Sequence, residues 1–484
     1  MSDFQILKSS FKGDLVVPGD PTYPEAIARW AKNAARNAAV VAFVKDTEDV
    51  ANAILYARHA GLEISIKGGG HNPSAASSTE GGLVIDLSRY MDGVRVDPEG
   101  RLAYVGGGAL WRTVDKAAIQ FGLATVAGTV NHVRKSFYIV IRGELNHPSL
   151  KTGVGGLALG AGYGWLSGAH GLTIDNIVQA TIVTADGCVR TASKTENADL
   201  LWGIRGAGPN FGAVTEFVLQ LHPQRRTVFG GLIFFTADKL HQLLDVTGEW
   251  WAKGPSEKEG MFQIFTRWPD KQPCILHVLF YNGSEEEGRQ NYKALFDICP
   301  FEDWCKEMPY EALNGMQNEF FGPQANAYMK GTFLSPSLSP AALTRIFERV
   351  IECSEPAGYD IYLLIEYFPL QAANAVPDDA TPYRRGLTPN VLCLILSKRD
   401  DEDPLGYMRS AARDIIEMFA EDSGVHMGYG NYCPESDTLP PQELVSVDKA
   451  KQLFGSNYPR LQQVKKQYDP EMVFRKWFMI TPAA

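Results

Sequence analysis

The stretch Ile64-Ser65-Ile66-Lys67-Gly68-Gly69-Gly70-His71-Asn72 decides how the chain is read. A β-branched run stops at three consecutive glycines, and a histidine follows at once. Glycine tolerates the dihedrals of a tight loop and leaves no side chain in the way. Backbone N–H groups can therefore converge there on an anion such as a diphosphate. A histidine beside a bound cofactor can also become a covalent tether. Taken alone, the four residues read as a turn that ends a strand; the flanking sequence changes that.

Upstream, residues 39–44 are β-rich. Asp46 can cap a following helix whose apolar face is Val50, Ile54 and Ala57. Residues 62–66 then run into the glycine loop, so the order is strand, helix, strand, with an anion loop at the second strand's end. Downstream, 82–87 and 102–105 read as strands. Gly106-Gly107-Gly108 precedes a helix with Leu110, Val114, Ala117 and Phe121 on one face. Between Thr152 and Gly164 stand six glycines, each costing a helix about 1 kcal/mol relative to alanine. Close approach to a large flat ligand and close packing of two helices each explain them. Asp175-Asn176 opens a strand over 177–183, and 206–215 is again glycine-rich.

From about residue 225 the glycine clusters end. Strand-like runs at 228–235, 261–265, 275–281, 359–367 and 391–396 alternate with helices near 238–250, 284–297, 340–354 and 405–420, which predicts a second α+β domain. Trp250-Trp251 reads as core. The tail from 453 to 480 is apolar enough to dock.

With 484 residues, 45% of them hydrophobic, the chain has material for more than one core. A net charge of −10 and no long basic run exclude a nucleic-acid footprint. No stretch reaches the roughly 20 apolar residues of a membrane span, and no signal peptide is seen, so a soluble, cytoplasmic protein is expected. Seven scattered cysteines without a CxxC pair predict reduced thiols and no metal site. A nicotinamide-dependent Rossmann enzyme is disfavoured, because the 68–71 loop lacks the GxGxxG turn that opens a helix.

In this order and spacing, several segments together resemble the FAD-linked oxidases of the berberine bridge enzyme-like group, within the vanillyl-alcohol oxidase / p-cresol methylhydroxylase superfamily. They are 67–72, 82–88, 128–132, 152–167, 171–176, 206–217, Tyr429-Gly430-Asn431-Tyr432 and 457–470. The resemblance implies an α+β protein with a two-part FAD-binding domain, residues 1–222 and a returning segment 441–484. Between them would lie a substrate domain, 223–440, with an antiparallel sheet covered by helices. It further implies that Lys67, Gly68, Gly69, Gly70 and Asn72 lie at the pyrophosphate and that His71 carries an 8α-histidyl bond to FAD. Thr129, His132, Thr152, Gly153, Gly155, Gly156, Gly160, Asp175, Asn176, Val214 and Asn431 would complete the cofactor site. A tether of this kind raises the flavin's reduction potential and prevents its loss. Val130 stands where some members carry a second, cysteinyl link, so a single link is expected. Lys67 replaces a common arginine. Cys433-Pro434 replaces an aliphatic–Asp pair.

The implied activity is removal of a hydride from a small molecule, such as a secondary metabolite, with O2 as acceptor. A flavin dehydrogenase or cyclase, a carbohydrate oxidase and an inactive product are the alternatives. By resemblance Tyr432 is the first candidate for the catalytic base, with Tyr429 beside it; a tyrosinate there requires a pKa lowered by nearby positive charge. Tyr429 and Asn431 would face the same way if the segment were a strand. Glu366 is the second acid/base candidate, and Tyr383-Arg384-Arg385 is a looser match.

Residues 133–151 interrupt the resemblance, and deleting them joins His132 to Thr152. The segment starts with valine, whose codons begin GT, and ends with lysine, one of whose codons ends AG. It reads as a retained intron; a genuine surface loop is the alternative. His147 within it is given no role. The intron reading predicts that deleting 133–151 raises flavin content and soluble yield. Equal flavin loading of the full-length chain, with the codons present in its messenger RNA, would contradict it.

Overall fold

The computed structural model describes residues 3–130, 152–317, 325–399, 403, 405–420, 428–433 and 446–484. The suspected insertion 133–151 and His132 lie outside the described residues.

Val40–Phe43, Leu83–Asp86 and Ile64–Lys67 pair in parallel, and Asp14–Val16 adds an antiparallel edge. The helix Thr47–His59 makes the crossover. Asp46 caps it by accepting from the backbone N–H groups of Glu48 and Asp49, and Val50, Ile54 and Ala57 are buried. The glycine loop leaves the carboxyl end of Ile64–Lys67, the edge where parallel sheets hold ligands. A second sheet runs antiparallel in the order Val94–Asp97, Leu102–Gly106, Ala213–Gln220, Ile177–Val183, Val189–Ser193. The helix after strand Leu102–Gly106 is Trp111–Ile119, and its buried face is Trp111, Val114, Asp115, Ala118 and Ile119. The expected face through Ala117 and Phe121 is therefore rotated. Phe121 falls beyond the helix and is 52% exposed, whereas burying Trp111 removes far more apolar surface.

Every strand pair of the large third sheet is antiparallel. Its path is Glu302–Asp303, Thr227–Thr236, Pro273–Tyr281, Glu259–Arg267, Tyr359–Tyr367, Asn390–Ser397, Asn326–Phe333, with Lys306–Pro309 beside Thr227–Thr236. The predicted strands are all present, each within two residues of its expected limits. The helices Leu240–Ala252, Pro340–Cys353 and Gly406–Ala420 cover one face. The single helix expected over 284–297 is two, Glu285–Asn291 and Lys293–Phe296. The break at Tyr292 lets its buried hydroxyl donate to Phe280 O at 2.8 Å.

The chain then returns. Helix Tyr458–Tyr468 packs on Ala198–Ile204. Lys465 and Asp469, both fully buried, form an ion pair of 2.7 Å. Lys465 Nζ also donates to Asn210 O at 2.7 Å, and Asp469 accepts from the N–H groups of Val473 and Phe474. Burial pulls the Lys465 pKa down against the pull of Asp469. This buried pair fastens the tail to the 206–212 loop. Asp469→Ala leaves a buried ammonium without its counter-charge and is expected to cost about 3–5 kcal/mol, measured by denaturant unfolding.

Candidate functional site

Three glycine segments meet at one edge of a single cavity. A Cβ on Gly153 would sit 2.4 Å from Gly69 N, and Cβ atoms on Gly68 and Gly155 would each meet Gly107 O at 3.1 Å. Gly156, by contrast, has no atom of the described residues within 4 Å of where its Cβ would be, and it lines the cavity. Within 152–164, Gly153 and Gly155 thus permit packing against the 68–70 loop and Gly107 rather than against a second helix. Helix Val154–Leu159 starts from Gly153 against the 68–70 loop. His71 also lines the cavity, its ring stacked on Trp30 with centroids 4.5 Å apart.

The opposite wall is the helix-free face of the large sheet. Side chains alternate along a strand, so Leu363, Ile365 and Tyr367 join the helix-covered core while Leu364 and Glu366 face the cavity. On the next strand Val391, Cys393 and Ile395 go to the helices, and Leu392 and Leu394 to the cavity. Cross-strand register sets Phe262, Glu366 and Asn390 in one row and Leu364, Leu392 and Gly331 in the next.

Glu366 is 3% exposed. Its Oε1 accepts from Tyr432 Oη at 2.7 Å and its Oε2 from Asn390 Nδ2 at 3.1 Å. Burial pushes its pKa up to about 7, against the lowering effect of those two hydrogen bonds. Burial and the Glu366 charge push Tyr432 well above its ordinary value. The depression expected for a Tyr432 tyrosinate is thus reversed: its nearest charged partner is an acid, not a cation. Gly331 makes the pair possible, since a Cβ there would lie 2.8 Å from Tyr432 Cβ.

Gly430–Tyr432 is a 3-10 turn rather than a strand, which corrects the expected shared face of Tyr429 and Asn431. The two side chains meet nonetheless, Asn431 Nδ2 donating to Tyr429 Oη at 2.7 Å. Tyr429 Oη also accepts from Gly162 N at 3.1 Å, and a Cβ on Gly160 would strike the Asn431 amide. The turn is thereby pinned on the glycine helix. Burial, the first cause, and the neighbouring Tyr383 raise the Tyr429 pKa.

Of the residues singled out in the sequence, Gly68 to Asn72, Thr129, Thr152, Gly153, Gly155, Gly156, Gly160, Val214, Asn431, Tyr429, Tyr432 and Glu366 all line this cavity. Three stand away from its wall. Lys67 pairs with buried Asp86 at 2.8 Å. Asp175 pairs with Arg385 at 2.7 Å, and Asn176 holds the carbonyls of His170 and Leu172. Trp30, Gly107, Gln317, Met329 and Trp477 are wall residues that the sequence reading missed. Gly107, inside the triple glycine, and Trp477, in the apolar tail, were the two with a signal.

A family model for an FAD binding domain matches residues 38–133, and one described as berberine and berberine like matches 429–476. The FAD-linked oxidoreductase pgmH of Aspergillus terreus is 31% identical over 99% of this chain and 96% of its own length. The crystal structure of 6-hydroxy-D-nicotine oxidase from Arthrobacter nicotinovorans superposes with a TM-score of 0.81 at 26% identity, covering 98% of this chain and 99% of that one. Glucooligosaccharide oxidase of Acremonium strictum, whose flavin is 6-S-cysteinyl, 8α-N1-histidyl FAD, shares the fold with a TM-score of 0.80 at 22% identity over 100% of both chains.

Fold and site thus define a flavoprotein with a p-cresol methylhydroxylase-type FAD-binding domain. The chain belongs to the berberine bridge enzyme-like FAD-linked oxidoreductases. No helix among the described residues is long and apolar enough to cross a membrane, and the seven cysteines form no disulfide with one another.

The elevated Glu366 pKa has a consequence for stability. The folded chain holds a proton that the unfolded chain has released between about pH 4.5 and about 7, so stability falls as pH rises through that window. Glu366→Gln is expected to flatten this slope in unfolding measurements made across it.

Proposed function

We propose that this chain is an FAD-dependent oxidase that removes a hydride from a small molecule, with Glu366 as the terminal proton acceptor. The observation that carries this reading is the buried Glu366–Tyr432 pair facing an open-backed glycine wall across one cavity. The residues present fit FAD: the gap over Gly156 admits a flat ring, and Gly68 to Gly70 can turn N–H groups toward a diphosphate. His71 would hold the flavin covalently. Val130 lines the cavity, and no cysteine does among the described lining residues, which supports one link rather than two. The doubly tethered flavin of the glucooligosaccharide oxidase serves as the contrast. Bound FAD would supply a two-electron acceptor that molecular oxygen reoxidises.

The chain's own part is proton handling. Tyr432, half-buried at the cavity wall, can take the proton of a substrate hydroxyl or amine while passing its own to Glu366 Oε1 at 2.7 Å. The tyrosine is a relay and need never persist as tyrosinate. Asn390 fixes the carboxylate from its other oxygen at 3.1 Å. Cysteines that form no disulfide accord with a reducing, cytoplasmic setting.

Two measurements check the reading. Acid precipitation is expected to leave yellow colour in the pellet, and His71→Ala to move it to the supernatant; a colourless wild-type pellet would sink the tether. In anaerobic rapid mixing, flavin reduction is expected to accelerate as pH rises through about 7, because only the carboxylate form of Glu366 can accept the proton. Glu366→Gln should slow reduction by about 10²–10⁴-fold and abolish that pH step. Tyr432→Phe should slow it while keeping the step. A Glu366→Gln rate within about threefold of wild type would move the role elsewhere.

A further inference from the structure

The face of the large sheet that lines the cavity is chiefly apolar. Its cross-strand rows present Phe262, Leu364, Leu392, Leu394 and Met329, each less than 9% exposed. They form a continuous apolar face on four adjacent strands. The polar side chains beside it bond within the protein: Asn431 donates to Tyr429 Oη at 2.7 Å, and that hydroxyl also accepts from Gly162 N at 3.1 Å. Glu366 and Tyr432 bond each other, and Gln317 donates to Thr129 O at 3.3 Å. Among the described lining residues there is no lysine, arginine or aspartate.

We infer that the substrate is an uncharged, apolar ring compound carrying a single proton-bearing heteroatom, a hydroxyl or an amine, and is neither an oligosaccharide nor an anion. The inference rests on the flavin-oxidase reading above. A sugar presents hydroxyls on every edge, and each one placed against this face loses its water without gaining a partner. A carboxylate or phosphate finds no lysine or arginine among the described lining residues and meets Glu366 as a like charge. A flat apolar ring does the reverse. It covers the leucines, and its one heteroatom reaches Tyr432, which is backed by Glu366 as a proton acceptor. The row spacing matters as well. Glu366 lies beside Phe262 and one row from Leu364 and Leu392, so the reacting heteroatom sits at the edge of the apolar face, where a single ring system can touch both.

The test titrates the flavin-loaded protein with phenol, 2-naphthol and cellobiose, following the flavin absorption band. Affinity is expected to rise about tenfold from phenol to 2-naphthol, the gain from covering additional apolar area. Cellobiose at the same concentration is expected to leave the band unchanged. Leu364→Asn should weaken 2-naphthol about tenfold with flavin content intact; Leu392→Asn provides the same reading should the first variant not fold. Cellobiose binding as tightly as 2-naphthol, equal affinity for the two phenols, or indifference of a folded variant would overturn the inference while leaving the flavin reading in place. A purified protein without flavin would overturn the flavin reading itself, and this inference with it.

Discussion

Backbone-to-backbone contact among glycines is the constraint on which the rest depends. Gly69 and Gly153 approach so closely that no side chain can stand between them, and Gly107 closes on both neighbouring segments. That contact joins the carboxyl edge of the parallel sheet to the start of helix Val154–Leu159 and to the end of strand Leu102–Gly106. It produces a surface made of peptide rather than side chains. Such a surface can accept a large planar ligand edge and offer N–H groups to its phosphates without paying for lost rotamers.

The facing wall is built on a different principle. A strand buried on both sides must still divide its residues by parity, and Tyr359–Tyr367 sends odd positions to the helices and Leu364 and Glu366 to the cavity. One carboxylate in an apolar surround is costly unless hydrogen-bonded or protonated. Both remedies are present in Asn390, Tyr432 and the raised pKa. The Tyr429–Tyr432 turn is carried to its place by a chain that is itself anchored by the buried Lys465–Asp469 pair and by Trp477, whose ring would collide with any side chain at Gly208. The tail therefore closes the cavity as well as stabilising the domain.

Much of this was legible in the sequence. Glycine clusters mark close approach at the 68–70 loop and at Gly107 and Gly153, and apolar runs located five strands of the large sheet to within two residues, while Asn326–Phe333 was not read as a strand. What stayed hidden depended on contacts distant in sequence. The role of Gly331 is set by Tyr432, a hundred residues on in the chain, and that of Asn390 by cross-strand register with Glu366. The direction of the Tyr432 pKa could not be read from its motif, because the motif does not say that its partner is an acid. The helix face at 111–119 was misread because Leu110 and Phe121 frame it by period alone, while Trp111 decides it by area. Asp175 and Lys67 sit in recognisable motifs yet are engaged by Arg385 and Asp86.

The central claim is that FAD lies against the glycine wall, over Gly156. Gly156→Leu tests it most directly, because a Cβ there meets no atom of the described residues within 4 Å and Gly156 lines the cavity. The variant is expected to fold with an unchanged circular dichroism spectrum and melting temperature but to lose its flavin. Gly248→Leu, at another helical glycine with open space around it, is the control that should keep it. Full flavin content in Gly156→Leu, with the cofactor's absorption spectrum unaltered, would contradict the account.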